Sequence, residues 1–114
     1  RDAERTREFA EMLEIDALDP GVMPTSAEIL VNATPLGTRP GDTSAFSEDE
    51  VGGASAVVDM VYGEEVTALI GLAESAGVPA ADGKTVLAHQ AFAQFAAFTT
   101  TIPPKDAMLK AIGR

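Results

Sequence analysis

An α/β fold built on a parallel, doubly wound sheet is predicted by three observations. Two continuous apolar runs of strand length, one within residues 28–34 and one within 56–62, have the composition of strands buried on both faces. Stretches with helical periodicity alternate with these runs. Glycine, proline and Asp-Gly pairs mark the joints between them.

Asp2 caps a first helix in which Thr6, Phe9, Ala10 and Leu13 form one stripe, while Arg5, Glu8, Glu11 and Glu14 face water. A short apolar piece, Ile15 to Leu18, reads as a strand that Asp19-Pro20-Gly21 ends. The segment Glu28 to Thr34 reads as a buried strand running into the loop Pro35 to Gly41. Ser47 and Glu50 have the spacing of a capping box, so one turn of helix follows, and Gly52-Gly53 breaks the chain before the strand Ala56 to Tyr62. That glycine pair precedes a strand, whereas a phosphate-binding loop must follow a strand and open a helix.

Beyond Tyr62-Gly63, Val66, Leu69, Ile70 and Ala73 share one face of a helix that stops at Gly77. Val78 to Ala81 is a short strand whose proline places it at an edge or a strand start. Asp82-Gly83 then turns the chain into a long helix with almost no polar face. Ala91, Gln94 and Phe98 fall within about 40° of Leu87 on a helical wheel, and Ala88, Phe92, Ala93 and Ala96 fill the other sides. Burial on every side is expected for such a helix, so His89, Gln90 and Gln94 need partners, one of which is a ligand or the protein itself. A last amphipathic helix with Ala107, Met108 and Ala111 begins after Pro103-Pro104.

The chain has 114 residues, which is one domain or part of one. Eighteen Asp and Glu against eight Lys and Arg give a net charge of −10, which argues against nonspecific binding to nucleic acid or an anionic membrane. The basic residues are unevenly placed: Arg1, Arg5 and Arg7 stand within seven residues, either as solvated helix arginines or as a site for an anion. With no cysteine and one histidine, neither a disulfide framework nor a zinc site is expected. The sequence has no signal peptide and no apolar run near 18 residues, which points to a cytoplasmic protein.

Ligands of open α/β sheets bind at the carboxyl ends of the strands. Three stretches fall there, Asn32 to Gly37, Asp59 to Gly63 and Asp82 to Gln90. Taken singly, each is more often a turn, a rim residue or a satisfied buried amide. Their convergence on one edge is the stronger signal.

In order and spacing, Asn32-Ala-Thr-Pro-Leu-Gly37, Val58-Asp-Met-Val-Tyr62, Thr67-Ala-Leu-Ile70 and Asp82-Gly-Lys-Thr-Val-Leu-Ala-His-Gln-Ala91 resemble the C-terminal, NADP-binding half of shikimate dehydrogenase. The resemblance covers nearly the whole chain, from Arg1-Asp-Ala-Glu-Arg5 onward. Gln90 to Phe95 with Pro103-Pro-Lys-Asp106 is also similar to the tail of fused dehydroquinate dehydratase-shikimate dehydrogenases.

The resemblance implies part of a Rossmann-type domain with C-terminal helices that pack on a separate substrate domain. That domain and the Gly-rich first βα unit would lie outside this chain. It implies NADP as cofactor, with Arg1 and Arg5 on its 2′-phosphate, Thr34 lining the groove, Met60 and Gly83 at the nicotinamide end, and Val86 as an apolar wall. Pro35 stands where the family often has Ser, and Val86 where it often has Met. Tyr62 and Gln90 would reach the substrate, shikimate or 3-dehydroshikimate, whereas His89 has no such role. The implied reaction is reversible hydride transfer in chorismate and aromatic amino acid biosynthesis. Its acid-base Lys and Asp belong to the substrate domain, and Lys84, Lys105 and Lys110 do not match them, so no catalytic residue is expected in this chain. A quinate dehydrogenase and a noncatalytic module of the same fold are the competing readings. The partly uncovered long helix also leads to an expectation of self-association, such as a homodimer.

Overall fold

In a computed structural model, residues 2–18, 27–63 and 65–114 are described. Three parallel strands, β1 (Ile29–Asn32), β2 (Ala56–Asp59) and β3 (Ala80–Ala81), form one sheet in the order β1-β2-β3. Parallel neighbours need crossovers, and these are α2 (Glu48–Gly53) between β1 and β2 and α3 (Ala68–Ala76) between β2 and β3. Before the sheet lies α1 (Ala3–Leu13), and after it α4 (Gly83–Thr99) and α5 (Lys105–Ala111). The predicted parallel α/β architecture is therefore present.

Local signals set most helix ends. Asp2, Ser47, Thr67 and Asp82 each accept a backbone N–H from three residues on, capping α1, α2, α3 and α4. At the end of α3, Gly77 takes the left-handed conformation at φ 69°, as its glycine predicts. The α3 boundary differs from expectation, since Thr67 is the cap and Val66 lies outside the helix, exposed. Gly52 and Gly53 belong to the last turn of α2 rather than to a break after it.

The capping box at Ser47 is complete. Glu50 N–H donates to Ser47 Oγ at 3.3 Å, and Glu50 Oε2 accepts Ser47 N–H at 2.6 Å and the hydroxyl at 2.8 Å. These bonds, the backbone one first, hold the Glu50 carboxyl below the usual carboxylate range. A depressed folded-state pKa stabilises the fold above the unfolded-state value, and that contribution is lost as pH falls through the folded one. Ser47→Ala should cost about 1 kcal/mol in a urea titration at neutral pH, and the gap from wild type should narrow in acid as Glu50 is protonated.

The core lies on one face of the sheet. Leu30 and Val57 point toward Val51 of α2 and toward Leu69 and Ala73 of α3, with Phe46, Leu72 and Val78 around them. On the opposite face Ile29 and Val31 are exposed, so β1 is buried on one side only and not as a fully enclosed strand.

Four expectations fail for one reason: a periodicity declares an apolar face but not its cover. Ile15 to Leu18 forms no strand, and its apolar side chains are exposed; an unpaired strand would leave its N–H and C=O groups without a ladder. In α1 only Ala10 is buried, while Phe9 and Leu13 face out. Along α4 only Gly83, Ala88 and Phe92 are buried, Phe98 is 85% exposed, and His89, Gln90 and Gln94 are open to solvent, so none requires a buried partner. In α5 the inward residues are Met108, Leu109 and Ile112, each half-buried, rather than Ala107 and Ala111. The turn Asp19-Pro20-Gly21 lies outside the described residues.

Candidate functional site

The parallel register of β1 and β2 places Asn32 directly beside Asp59, each ending an otherwise apolar strand. Both are fully buried, and buried polar groups must be hydrogen-bonded. Asn32 Nδ2 donates to Asp59 Oδ1 at 2.9 Å and to the Leu36 carbonyl at 3.0 Å. Its Oδ1 accepts Thr34 N–H at 3.1 Å and the Thr34 hydroxyl at 2.7 Å.

Asp59 takes two further donors, Val61 N–H at 3.1 Å on Oδ1 and the Thr67 hydroxyl at 2.5 Å on Oδ2. Thr67 in turn caps α3 through Ile70 N–H at 3.3 Å. One carboxylate therefore ties together the end of β1, the exit of β2 and the start of α3. This floor at the carboxyl edge, with no buried side-chain donor or acceptor left unpaired among the described residues, holds the loops that rise from it.

From this floor the expected site residues can be located. Thr34 sits in the β1 exit loop with its hydroxyl turned inward to Asn32 while it also accepts Leu36 N–H at 3.2 Å. Met60, next to Asp59, is exposed at the strand end, and its N–H donates to the Asn32 carbonyl at 2.9 Å. Gly83 is buried, and Val86 is half-buried one turn further along α4. Tyr62 is exposed two residues beyond Met60. Gln90 is exposed on the second turn of α4 and lines neither cavity described below. Arg5 is exposed on the first turn of α1, and its N–H is capped by Asp2 at 3.1 Å. Arg1 lies outside the described residues.

The glycine at 83 has a specific cause. A Cβ there would stand 2.5 Å from the Val61 carbonyl oxygen and 2.8 Å from that of Met60. The close approach that demands glycine is thus to the protein's own backbone, and Gly83 N–H closes it with a 3.2 Å bond to the Val61 carbonyl. Beside it, burial raises the Asp82 pKa, but bonds from the Thr85 hydroxyl and N–H and the Arg114 guanidinium outweigh this and hold the carboxyl below its usual range.

Two cavities flank the segment after β2, and Tyr62, Gly63, Glu65, Val66 and Thr67 wall both. The larger, about 350 Å³, is closed by Ile70, Asp82, Lys84, Thr85 and Arg114. The smaller, about 210 Å³, is closed by residues 37–42. Sequence reasoning missed the Asn32–Asp59–Thr67 network and the 37–42 wall. A signal for the first existed, because each apolar run ends in a lone polar residue.

No protein-family model matches this chain. A shikimate dehydrogenase (NADP⁺) of Citrifermentans bemidjiense is 38% identical over 82% of this chain, and that of Halobacterium salinarum 36% over 98%. The bifunctional 3-dehydroquinate dehydratase/shikimate dehydrogenase of Arabidopsis thaliana is 31% identical over 93%. The chain spans only 32%, 45% and 18% of these three relatives' lengths, respectively.

Among solved structures, a shikimate 5-dehydrogenase-like protein superposes with a TM-score of 0.83 at 27% identity, over 98% of this chain and 42% of its own. The Thermus thermophilus shikimate 5-dehydrogenase, solved with NADP(H) and shikimate, superposes at 0.77 with the same identity and coverage. A Corynebacterium glutamicum quinate dehydrogenase, solved with NAD, superposes at 0.80 and 27% identity, over 96% of this chain and 42% of its own. Sequence and fold agree over almost every described element, and the chain belongs to the shikimate dehydrogenase family, in which it corresponds to a C-terminal part.

Proposed function

We propose that residues 1–114 form the C-terminal part of a Rossmann-type cofactor domain in an NADP-dependent shikimate dehydrogenase, with the substrate domain supplied by the rest of the polypeptide. The observation that carries this reading is the convergence of three matching stretches on one edge: the β1 exit at Thr34, the β2 exit from Met60 to Tyr62, and the start of α4 at Gly83. The bare face of β1 and the exposed Phe98 and Ile102 are where we place the substrate domain.

The residues present suit a nicotinamide dinucleotide. Exposed Met60 offers an apolar wall beside a backbone that Gly83 keeps close. Arg5, on a strongly acidic chain, is a sensible donor to a 2′-phosphate, and Arg1 is its proposed companion. When bound, NADP supplies the acceptor or donor of the hydride. The Tyr62 hydroxyl and the Gln90 amide, both exposed, would orient the polyhydroxylated ring by hydrogen bonds, and the acid-base group would come from outside residues 1–114. Similarity to the quinate dehydrogenase favours quinate as a second substrate to test.

Steady-state assays on the polypeptide that carries this chain should show shikimate oxidation with kcat/KM for NADP⁺ above that for NAD⁺ by roughly 10- to 100-fold, the range of one or two charge-assisted contacts. Arg5→Ala should erase about tenfold of that preference. Absence of shikimate turnover would overturn the assignment, and quinate turnover alone would redirect it.

A further inference from the structure

Helix α4 is mostly exposed, so the way its first turn is held decides where Val86 and Gln90 stand. Of its 17 residues only Gly83, Ala88 and Phe92 are buried. Helix α5 clasps it at two points. Near the start of α5, Lys105 Nζ lies 5.5 Å from the centre of the Phe92 ring. At its end Gly113, at φ 75°, reverses the chain. Gly113 N–H bonds the Lys110 carbonyl at 3.2 Å and Arg114 N–H the Leu109 carbonyl at 3.0 Å, the two bonds of a Schellman turn. That turn delivers the Arg114 guanidinium to Asp82, 32 residues earlier and immediately before Gly83.

Asp82 divides its oxygens between two elements. Oδ1 accepts the Thr85 N–H at 2.9 Å and the Thr85 hydroxyl at 2.7 Å, which caps α4, while Oδ2 takes the guanidinium. The cap is local to α4, and the ion pair is the link that reaches it from α5. Glu65 and Glu74 wall the same cavity as Asp82, with Lys84 as the other cation, so the guanidinium also offsets repulsion among carboxylates. We propose that Arg114 is a positioning residue for the reaction: from the end of α5 it holds Asp82, and so fixes the first turn of α4, with Gly83, Val86 and Gln90, against the β2 exit. This inference rests on the proposed function, because it names what orients residues of that same site.

The Arg114 side chain is 45% exposed, so its pair contributes little to global stability, and the effect is read locally. In the polypeptide that carries this chain, Arg114→Ala should lower kcat/KM for shikimate by about two- to fivefold, the size of one exposed ion pair, with the urea midpoint nearly unchanged. Arg114→Lys should recover part of the loss, since it restores the charge without the fork. Asp82→Asn keeps a good capping residue but removes the charge, so in that background Arg114→Ala should have no further effect. An unchanged kcat/KM in Arg114→Ala, no recovery in Arg114→Lys, or the same loss in the Asp82→Asn background would overturn the inference.

Inactivity of the wild type would instead sink the proposed function. The clasp would then be read by hydrogen exchange at the amides of Gly83 and Thr85, which bond the Val61 carbonyl and Asp82 Oδ1. Exchange about two- to fivefold faster there in Arg114→Ala, with the strand Ala56–Asp59 unchanged, supports it. Equal exchange at those two amides in wild type and variant overturns it.

Discussion

Asp59→Ala is expected to destabilise the protein by about 3 to 5 kcal/mol, the cost of removing one partner from a buried, charge-assisted network. Three donors, Asn32 Nδ2, Val61 N–H and the Thr67 hydroxyl, converge on this carboxylate in a fully buried position. Asn32 Nδ2 keeps the Leu36 carbonyl, but Val61 N–H loses its bond to Asp59 and the Thr67 hydroxyl loses its acceptor. A domain of this size is stable by only about 5 to 15 kcal/mol, so the loss consumes a large share of it.

Asp59→Asn is the instructive control. Its Oδ1 can still serve Asn32 and Val61, and its amide N–H can donate to Thr67 Oγ1 once that hydroxyl has turned away. About 1 to 2 kcal/mol is then expected, the value of the lost charge assistance. Urea denaturation of the two variants against wild type checks the ordering. Equal, small losses in both would mean that the network is not what anchors the strand ends.

What could be read from the sequence was what a few neighbouring residues decide. The strands at Ile29–Asn32 and Ala56–Asp59 were legible as apolar runs, and the capping box at Ser47, the Asp2 cap and the Gly77 stop were legible because each is satisfied within four residues. Ile15 to Leu18 has the composition of a strand but no ladder among the described residues, and β propensity without a partner decides little. The long helix Gly83–Thr99 is apolar all round, as expected, but its composition says nothing about what lies against it.

The site divides the same way. Tyr62 and Gly83 were marked by strand-end position, and the structure places both at the carboxyl edge. The Asn32–Asp59 bond spans 27 residues and exists only because the parallel register pairs those two positions, so the polar residue that ends each apolar run marks a candidate while the pairing itself is set by the sheet.

The second large effect is expected at Gly83. An alanine Cβ there would lie 2.5 Å from the Val61 carbonyl oxygen and 2.7 Å from its carbon, distances that real Cβ atoms do not tolerate. The obstructing atoms are backbone, so no rotamer change relieves the clash, and the first turn of α4 must move away from the β2 exit. Overpacking of this kind costs about 1 to 3 kcal/mol, and here the upper half is expected because the 3.2 Å bond from Gly83 N–H to the Val61 carbonyl is lost with the displacement.

Gly71→Ala provides the contrast within the same fold. That position lies inside α3 with nothing within 4 Å of the added methyl, so alanine should stabilise by about 0.5 to 1 kcal/mol through helix propensity alone. Thermal unfolding should therefore shift downward for Gly83→Ala and upward for Gly71→Ala. A Gly83→Ala variant as stable as wild type would show that helix α4 does not seat against Met60 and Val61. In an active polypeptide the displaced turn would also carry Val86 and Gln90 away from the strand ends, so kcat/KM for shikimate should fall about tenfold or more even where the protein remains folded.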